Sequence, residues 1–317
     1  MAKIQTVGVL GGTGFIGRCL VAKLSEAGLT VKVLTRHRER HRAMLLIPKV
    51  SLVEADVYRA DALQRHLRGC QAAINLTGIL NGRPAQFEAV HAQLPRQLGQ
   101  ACKALGIGRL LHMSALNASV DGPSDYLRTK GLGEQAVLAL QEEGVAVTCF
   151  RPSVVFGPED GFFNLFASLM AISPMVPLAK PQTRFAPVFV DDVAEAMARA
   201  LLRADMAGQC LELCGPKVYT FKELVATIGR LSGRRRLIVG LPDGLAKLQA
   251  MVFERLPGQL LTSDNLKSLA LDSVCQQNGF EALGIIPVSA ETIMGQHFDK
   301  GDQRHERYQR FRQSSRR

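Results

Sequence analysis

The chain has 317 residues, of which 47% are hydrophobic and 21% are charged, and its formal net charge is +11. This composition excludes a disordered chain, and the length predicts one large domain or two coupled domains with a sizeable core. The positive charge suits a nucleic acid, an anionic membrane surface or a solvated tail. Because no nucleic-acid motif accompanies it, we expect no nucleic-acid partner and favour the other two explanations.

The first predicted strand follows Met1 almost directly, so we expect no leader peptide. We therefore expect a cytoplasmic protein, or one held peripherally at the cytoplasmic face of the inner membrane. The sequence has no run of 18 uninterrupted apolar residues, so we expect no membrane-spanning helix. The seven cysteines form no disulfide framework and indicate buried thiols in a reducing compartment. A redox or metal pair at Cys210 and Cys214 is the alternative to two core thiols, and we predict no metal.

The first element is a short apolar strand at residues 7–10, followed by a glycine-rich turn and a helix pattern. In this context Gly11 allows a tight turn, Gly14 lets the backbone approach a pyrophosphate, and Gly17 lets helix and strand pack closely. The helix N-terminus then faces the negative charge. An ordinary strand-to-helix turn is the alternative, but the combination predicts a dinucleotide site. Its residues are Gly11, Gly12, Thr13, Gly14, Phe15, Ile16 and Gly17.

The second predicted strand, residues 30–34, ends in an arginine-rich segment. In a dinucleotide-binding unit this strand end lies at the adenosine ribose, where an acid bonds a 2′-hydroxyl and an arginine pairs with a 2′-phosphate. Because Arg36 follows the strand and no acid does, we predict NADP(H) as the preferred cofactor, with NAD(H) as the alternative. Otherwise Arg36 and the neighbouring arginines line a solvated helix start.

The following segments continue to alternate between strands and helices. Strands are predicted at 50–55, 72–76 and 109–113, and helices at 61–67 and 86–105. Two strand ends supply further candidate cofactor contacts, because ligands collect at the carboxyl edge of open α/β sheets. Asp56 and Val57 are placed to bracket an adenine ring. Thr77 and Gly78 form a small turn that lets the ribose and phosphates approach.

The candidate catalytic segment contains Tyr126 and Lys130, four residues apart and therefore on one face of a helix. A nearby ammonium favours the phenolate, so we expect Lys130 to lower the pKa of Tyr126. Such a tyrosine exchanges a proton with a carbonyl or alcohol at neutral pH. Ser114, at the end of the fifth strand, would bond the same oxygen. Pairs of this kind are common on surfaces, but the preceding strand–helix units favour a cofactor site.

The rest of the chain predicts a second group of elements. Strands are expected at 145–151 and 209–213, and helices at 162–172, 191–202, 221–231, 245–256 and 266–271. The apolar helix at 162–172 is either core packing or the wall of a pocket for an apolar substrate such as a quinone or a lipid. The arginine run at 234–236 is a solvated segment or, as the alternative, an anion contact.

Several of these motifs together resemble the short-chain dehydrogenase/reductase superfamily, in its extended and atypical branches. They are the glycine motif, Ser114, Tyr126 with Lys130, and the segments 151–158 and 188–194. Three further segments, 75–80, 156–164 and 215–221, are more closely similar to bacterial relatives of the nucleotide-binding accessory subunit of respiratory complex I. The resemblance covers about residues 5 to 298.

The resemblance implies an α/β fold, a Rossmann-type doubly wound parallel sheet with a smaller C-terminal substrate-side lobe, and a bound NADP(H). The implied divisions are an NAD(P)-binding domain at 1–155 and a substrate-side lobe at 156–298 that is interleaved with the sheet. Residues 299–317 form a basic tail that we expect to be disordered.

In the wider superfamily, the residue at Lys130 would hold the nicotinamide ribose, Tyr126 would be the acid–base, and Ser114 would polarise the substrate. The resemblance also implies that one segment passes along the nicotinamide. Its predicted cofactor contacts are Arg151, Pro152, Ser153 and Val154. Ser114 and Tyr126 are 12 residues apart, a shorter spacing than in most active extended members, so the resemblance implies the role of Ser114 less strongly than those of Tyr126 and Lys130.

Three functions compete on these grounds. The favoured one is an NADP(H)-dependent oxidoreductase that acts on a carbonyl or quinone-like apolar substrate through Tyr126 and Lys130. The alternative is a non-catalytic NADPH-binding accessory or assembly subunit of respiratory NADH:quinone oxidoreductase or of quinone synthesis, associated with a respiratory complex or a membrane surface. A nucleotide-sugar epimerase or dehydratase is the third.

Overall fold

Strands and helices alternate through most of the computed structural model, which describes residues 3–254 and 261–298. The strands are β1 (Thr6–Leu10), β2 (Thr30–Thr35), β3 (Val50–Glu54), β4 (Ala72–Asn75), β5 (Arg109–Met113), β6 (Ala146–Pro152), β7 (Val155–Phe156), β8 (Met175–Ala179), β9 (Arg184–Phe185), β10 (Val188–Phe189), β11 (Cys210–Leu213), β12 (Tyr219–Thr220) and β13 (Leu237–Leu241). The α-helices are α1 (Phe15–Glu26), α2 (Ala60–Leu67), α3 (Pro84–Phe87), α4 (Leu94–Leu105), α5 (Asp125–Leu138), α6 (Gly161–Ile172), α7 (Val190–Leu202), α8 (Phe221–Leu231), α9 (Asp243–Phe253), α10 (Ser263–Ser268) and α11 (Phe280–Leu283). Residues 290–298 are also helical.

Seven strands form one parallel sheet in the order β3-β2-β1-β4-β5-β6-β11. Its central strands are buried on both faces, which is why they are almost continuously apolar in sequence. Helices α1 and α7 cover one face and pack against each other. Helices α2, α4 and α5 cover the other. The predicted Rossmann-type doubly wound fold is therefore confirmed.

The strand order reverses between β1 and β4, which continue to opposite sides of the sheet. In open α/β sheets the crevice at such a reversal is the place where ligands bind. The carboxyl ends of β1 and β4 lead into the glycine turn and into the turn that contains Thr77 and Gly78. The topology thus brings two of the predicted cofactor segments to one edge.

A smaller lobe follows β6 and has its own apolar core. Aromatic rings of Phe156, Phe163, Phe185 and Phe221 contribute to this core, together with α6, α8 and β8. The helix predicted at 162–172 is α6, and it contributes Phe163 to the core, so core packing accounts for much of its apolar character. Because α7 and β11 return to the large sheet, the second half of the chain contributes to both units.

The helix predicted over residues 86–105 is not continuous. A π-helical segment, Glu88–Gln93, separates α3 from α4, and the N–H of Leu94 donates to the carbonyl of Ala89. The cause is Pro95, which has no N–H to offer the carbonyl of His91. A Cβ built at Gly133 of α5 would lie only 1.8 Å from that carbonyl oxygen. The π-helical segment therefore packs against a glycine of the neighbouring helix.

The expectation of free thiols throughout is wrong, because Cys214 and Cys275 form a disulfide. A redox or metal pair of Cys210 with Cys214 is wrong as well, since residues four apart on a strand are far apart in space. Cys210 instead lies opposite Cys149 of the neighbouring strand β6, close to Glu134. The sequence offers no local pattern that would join Cys214 to a cysteine 61 positions later.

Smaller differences concern where two helices of the second lobe begin and end. α9 ends at Phe253 and α10 spans Ser263–Ser268, earlier than the predicted 266–271, because Thr262 caps the helix by accepting from the N–H of Asn265. Within the described residues, no helix has the length and apolarity needed to cross a bilayer. The predicted basic tail, 299–317, lies outside the described residues, and the domain boundary at 155 stays a prediction.

Candidate active site

The glycine turn between β1 and α1 is closely packed against the end of β4. Gly11 has a φ of +75°, and a Cβ there would lie 2.9 Å from the carbonyl carbon of Leu76. A Cβ on Gly17 would lie 2.3 Å from the carbonyl oxygen of Gly11. Gly14 precedes α1 and donates its N–H to Gly11 over 3.0 Å. The turn, the helix start and the β4 end thus meet with no room for side chains at Gly11 and Gly17.

Lys130 lies where three predicted segments converge. Its Nζ donates to the carbonyl oxygen of Met113 over 3.0 Å, which places it beside Ser114 at the end of β5. The same Nζ is 3.2 Å from the position that a Cβ would occupy on Gly78. The lysine is 5% exposed, and burial lowers its pKa from 10.5 to about 8, partly opposed by the nearby carboxylate of Glu134. The structure therefore brings Lys130, Ser114 and Gly78 together.

Tyr126 lies one turn earlier on α5, with its ring against two aromatic side chains. Ring centroids are 5.5 Å from His91 and 6.3 Å from Phe87, both in edge-on contacts. Loss of hydration raises the pKa of Tyr126 to about 12. The expectation that Lys130 lowers this pKa is wrong, because loss of hydration dominates and the ammonium bonds the carbonyl of Met113. Tyr126 is consequently protonated at neutral pH and can donate a proton.

Two predicted site residues, Ser114 and Thr77, carry buried hydroxyls with no hydrogen-bond partner among the described residues. A buried hydroxyl without a partner costs free energy, so each is placed to bond a ligand. With the close glycine turn at one end and Lys130 at the other, these donors match the hydroxyls, phosphates and amide of a nicotinamide nucleotide. The residues present therefore fit this cofactor.

His91 is a site residue that sequence reasoning missed. Its Nε2 accepts from the N–H of Ile79 over 3.0 Å, and its Nδ1 lies 3.1 Å from Oγ1 of Thr129. That hydroxyl donates to the carbonyl of Asp125, so it accepts from the Nδ1–H of His91. Burial and the charge of Lys130 lower the pKa of His91 to about 2, which keeps it neutral.

Neutral His91 thus ties the turn after β4 to the helix that carries Tyr126. The π-helical segment aims the ring at this position, and such segments are frequent at functional sites. The sequence signal that could have found it is Pro95 four residues later, inside an otherwise regular helix pattern.

The adenosine end of the predicted site lies at the ends of β2 and β3. Arg36 is exposed there, and its guanidinium carbon is 5.9 Å from the ring centroid of Tyr58. The carboxylate of Asp56 accepts from the N–H of Tyr58 over 3.1 Å, and Val57 is buried beneath. The structure therefore places Arg36 and Asp56 beside Tyr58, and the adenosine contacts of Arg36, Asp56 and Val57 stay predictions.

The segment after β6 is fixed by contacts within the protein. The guanidinium of Arg151 forms a two-pronged ion pair with Glu134 of α5, with Nε to Oε2 at 2.9 Å. Ser153 donates its hydroxyl to the carbonyl of Ser273 over 2.7 Å. Both side chains are thus engaged elsewhere, and the cofactor contacts predicted for Arg151, Pro152, Ser153 and Val154 stay predictions.

The comparison with known families agrees with this geometry. The sequence model of the NAD dependent epimerase/dehydratase family matches residues 7–211, which is more than half of the chain. The chain belongs to this family. The family's name specifies an NAD cofactor.

The proteins that resemble this chain have different functions. The mouse mitochondrial NADH dehydrogenase [ubiquinone] 1 alpha subcomplex subunit 9 is 31% identical over 294 residues, covering 89% of this chain and 77% of that protein. A ceramide reductase of Caulobacter vibrioides is 30% identical over 250 residues, covering 78% and 77%. The solved structure of DesIV, a dTDP-glucose 4,6-dehydratase from Streptomyces venezuelae with NAD bound, superposes with a TM-score of 0.72 at 21% identity, covering 93% and 96%. At that identity the likeness shows the fold alone.

The burial of Lys130 predicts a stability that depends on pH. Between about pH 8 and 10.5 the unfolded chain holds a proton that the folded chain has lost, so stability without nucleotide should rise with pH across this window. Below pH 8 the cost of burying the charge is fully present. Lys130→Met should therefore stabilise the protein at pH 7 by up to about 3 kcal/mol and remove the rise.

Urea unfolding of the wild type and the variant at several pH values measures this difference. Lys222→Met, a substitution of an exposed lysine, is the control and should leave the pH dependence as in the wild type. An unchanged rise in Lys130→Met would contradict the assignment of the titrating group.

Proposed function

We propose that this protein is an NADP(H)-dependent oxidoreductase that reduces a carbonyl or quinone-like apolar substrate. The observation that carries the proposal is a protonated Tyr126 one turn before buried Lys130 on α5, together with the bond from Lys130 to Met113, the residue before Ser114, whose hydroxyl has no partner among the described residues. Reduction of a carbonyl needs a proton donor at the substrate oxygen, and a neutral phenol supplies one. The ceramide reductase relative supports an apolar substrate.

In this proposal each side chain has a separate task. A bound nicotinamide supplies the hydride. Ser114 donates a hydrogen bond to the substrate oxygen, Tyr126 donates the proton that this oxygen takes up, and Lys130 holds the ribose. Because the ammonium of Lys130 already bonds a main-chain carbonyl, the lysine is held in place before the nucleotide arrives. His91 holds the turn after β4 in a fixed position relative to α5, which carries Tyr126.

A turnover assay tests the proposal. Nucleotide carried by the purified protein is released and identified, and absorbance of NADPH is then followed as ubiquinone analogues or carbonyl mixtures are added. Exchangeable NADPH that is oxidised supports the enzyme. Tightly held NADPH that none of these compounds oxidises contradicts it.

Preference for NADP(H) depends on Arg36. Arg36→Ala should weaken NADPH binding about tenfold, since a charge-assisted hydrogen bond to an exposed phosphate is lost, and should leave NADH binding nearly unchanged. Titration of nucleotide fluorescence measures both affinities. Arg40→Ala removes another exposed arginine of the same segment as a control. Equal weakening of NADPH and NADH by Arg36→Ala would argue against a 2′-phosphate contact.

The second candidate is an NADPH-binding accessory or assembly subunit of a respiratory complex. The mouse relative, a subunit of NADH dehydrogenase, favours it. Here the nucleotide would stabilise the fold, by about 2.7 kcal/mol at 100 times its dissociation constant. Co-purification with respiratory subunits, together with bound NADPH that does not turn over, would identify this function. A nucleotide-sugar epimerase or dehydratase, the third candidate, has the family match and the likeness in fold to DesIV behind it.

A further inference from the structure

The C-terminal lobe carries an apolar surface that faces away from its core. It is formed by the two-stranded sheet of β8 and β13 and by α9, which packs against both strands. We call it the lobe patch, and its side chains are between 37% and 65% exposed. They are Met175, Leu237, Val239, Leu245, Leu248 and Val252. Large apolar side chains exposed together in this way mark an interaction site.

The pattern of α9 is the reverse of that in an ordinary surface helix. Leu245, Leu248 and Val252 follow helical spacing on one face, and all three are exposed. The side chains turned to the protein are the small ones, Ala246 and Ala250. The helix thus uses its small residues for packing and presents its large ones outward. That arrangement is typical of a helix that inserts its apolar face into another medium.

The neighbouring charges are mainly positive. Residues 234–254 contain four basic and two acidic side chains. One of the acids, Asp243, is paired with Lys180 over 2.8 Å. Arg234 and Arg236 each donate to a carbonyl of α6, which fixes them beside the start of β13. Arg236 directly precedes Leu237, and exposed Lys247 lies between Leu245 and Leu248 in α9. Cations beside an apolar surface complement the phosphates of an anionic bilayer.

The lobe patch is one helix away from the candidate active site. α10 packs on both α9 and α5. The carboxylate of Asp264 in α10 accepts from the main-chain N–H groups of Asp125 and Tyr126, at 2.6 and 3.1 Å. Asn265 of the same helix donates to the carbonyl of Leu80, whose side chain is 63% exposed. α10 therefore connects α9 to the turn that borders the site, where the Leu80 side chain is exposed.

We propose that the lobe patch docks the protein on an anionic membrane surface, where an apolar substrate of the proposed reductase would reside. The substrate part of this inference rests on the proposed function, whereas the docking does not. Leu245, Leu248 and Val252 enter the boundary between headgroups and acyl chains. The exposed cations Arg235 and Lys247 bind lipid phosphates.

Vesicle sedimentation of the full chain tests the docking. Vesicles of phosphatidylcholine and phosphatidylglycerol in equal parts should pellet the protein, and vesicles of phosphatidylcholine alone should pellet much less. Leu245→Ser combined with Leu248→Ser should weaken binding about 100-fold, and Arg235→Ser combined with Lys247→Ser about tenfold. The control combines Leu46→Ser with Leu202→Ser, two exposed leucines on the sheet domain, and should bind as the wild type does.

Several outcomes would overturn the docking. One is a failure of the wild type to pellet with anionic vesicles, and another is wild-type binding by the Leu245 and Leu248 variant. A dimer in analytical ultracentrifugation that this variant dissociates would show that the patch joins two proteins instead.

NADPH oxidation with a short, water-soluble quinone analogue is measured on the same samples. The Leu245 and Leu248 variant should retain it, because neither residue belongs to the site. If the wild type binds vesicles but does not oxidise NADPH, the proposed reductase is rejected and the docking is retained.

Discussion

Tyr126→Phe is expected to lower the rate of NADPH oxidation by about 10²–10⁴-fold, the usual contribution of a positioned proton donor. The substitution removes one hydroxyl and retains the ring, so its edge-on contacts with Phe87 and His91 remain. The affinity for NADPH should change little, because the phenol acts on the substrate oxygen and Lys130 on the ribose. The effect should therefore appear in kcat and not in the dissociation constant of the nucleotide.

Single-turnover mixing of NADPH-loaded protein with a quinone or carbonyl substrate measures this rate. Tyr219→Phe is a matched control, since it removes a phenol of the second lobe that bonds Glu291 outside the site. A Tyr126→Phe protein that oxidises NADPH at the wild-type rate would remove Tyr126 from the mechanism. An equal loss in both variants would indicate a general effect on folding.

The protonation state of Tyr126 suits the direction of the proposed reaction. Because loss of hydration raises the pKa of Tyr126 to about 12, the phenol is protonated over the physiological range. A protonated donor suits reduction of a carbonyl, whereas oxidation of an alcohol needs the phenolate. The protonated phenol is thus in the state that the proposed reduction requires.

Much of the sheet domain can be predicted from the sequence because its elements are locally encoded. Apolar runs bounded by glycine or polar turns predict β1 to β6 within one or two residues, and the strand ends locate Arg36 and Ser114. The short strands of the second lobe, such as β9 and β12, have two residues each. They are too short to show a period, and they pair with partners far away in sequence.

The chemistry of the site depends on contacts that no local pattern encodes. The raised pKa of Tyr126 arises from the surroundings into which α5 places it, next to rings of a different helix. The role of His91 requires that its carbonyl meet Gly133 and that its ring reach Ile79. A motif shows which residue types are present, and packing decides their protonation states.

Arg151→Met should destabilise the protein by about 3 kcal/mol, because it leaves the carboxylate of Glu134 buried without its partner. The Glu134 side chain is 6% exposed and that of Arg151 is 30% exposed, which places the cost at the lower end for a buried pair. The carboxylate, in turn, raises the pKa of Arg151. The same substitution at Arg42, whose ion pair with Glu39 is largely exposed, should cost less than about 1 kcal/mol.

Urea unfolding measures the stability of Arg151→Met, of Arg42→Met, and of the double variant that combines Arg151→Met with Glu134→Leu. If the cost comes from an uncompensated charge, the double variant should recover most of the stability, since an apolar pair of similar volume replaces a buried ion pair at little cost. If the double variant is as unstable as Arg151→Met alone, the arginine acts through packing instead. Nucleotide affinity, measured on the stable double variant, then shows whether Arg151 itself contacts the cofactor, as the resemblance to the superfamily implies.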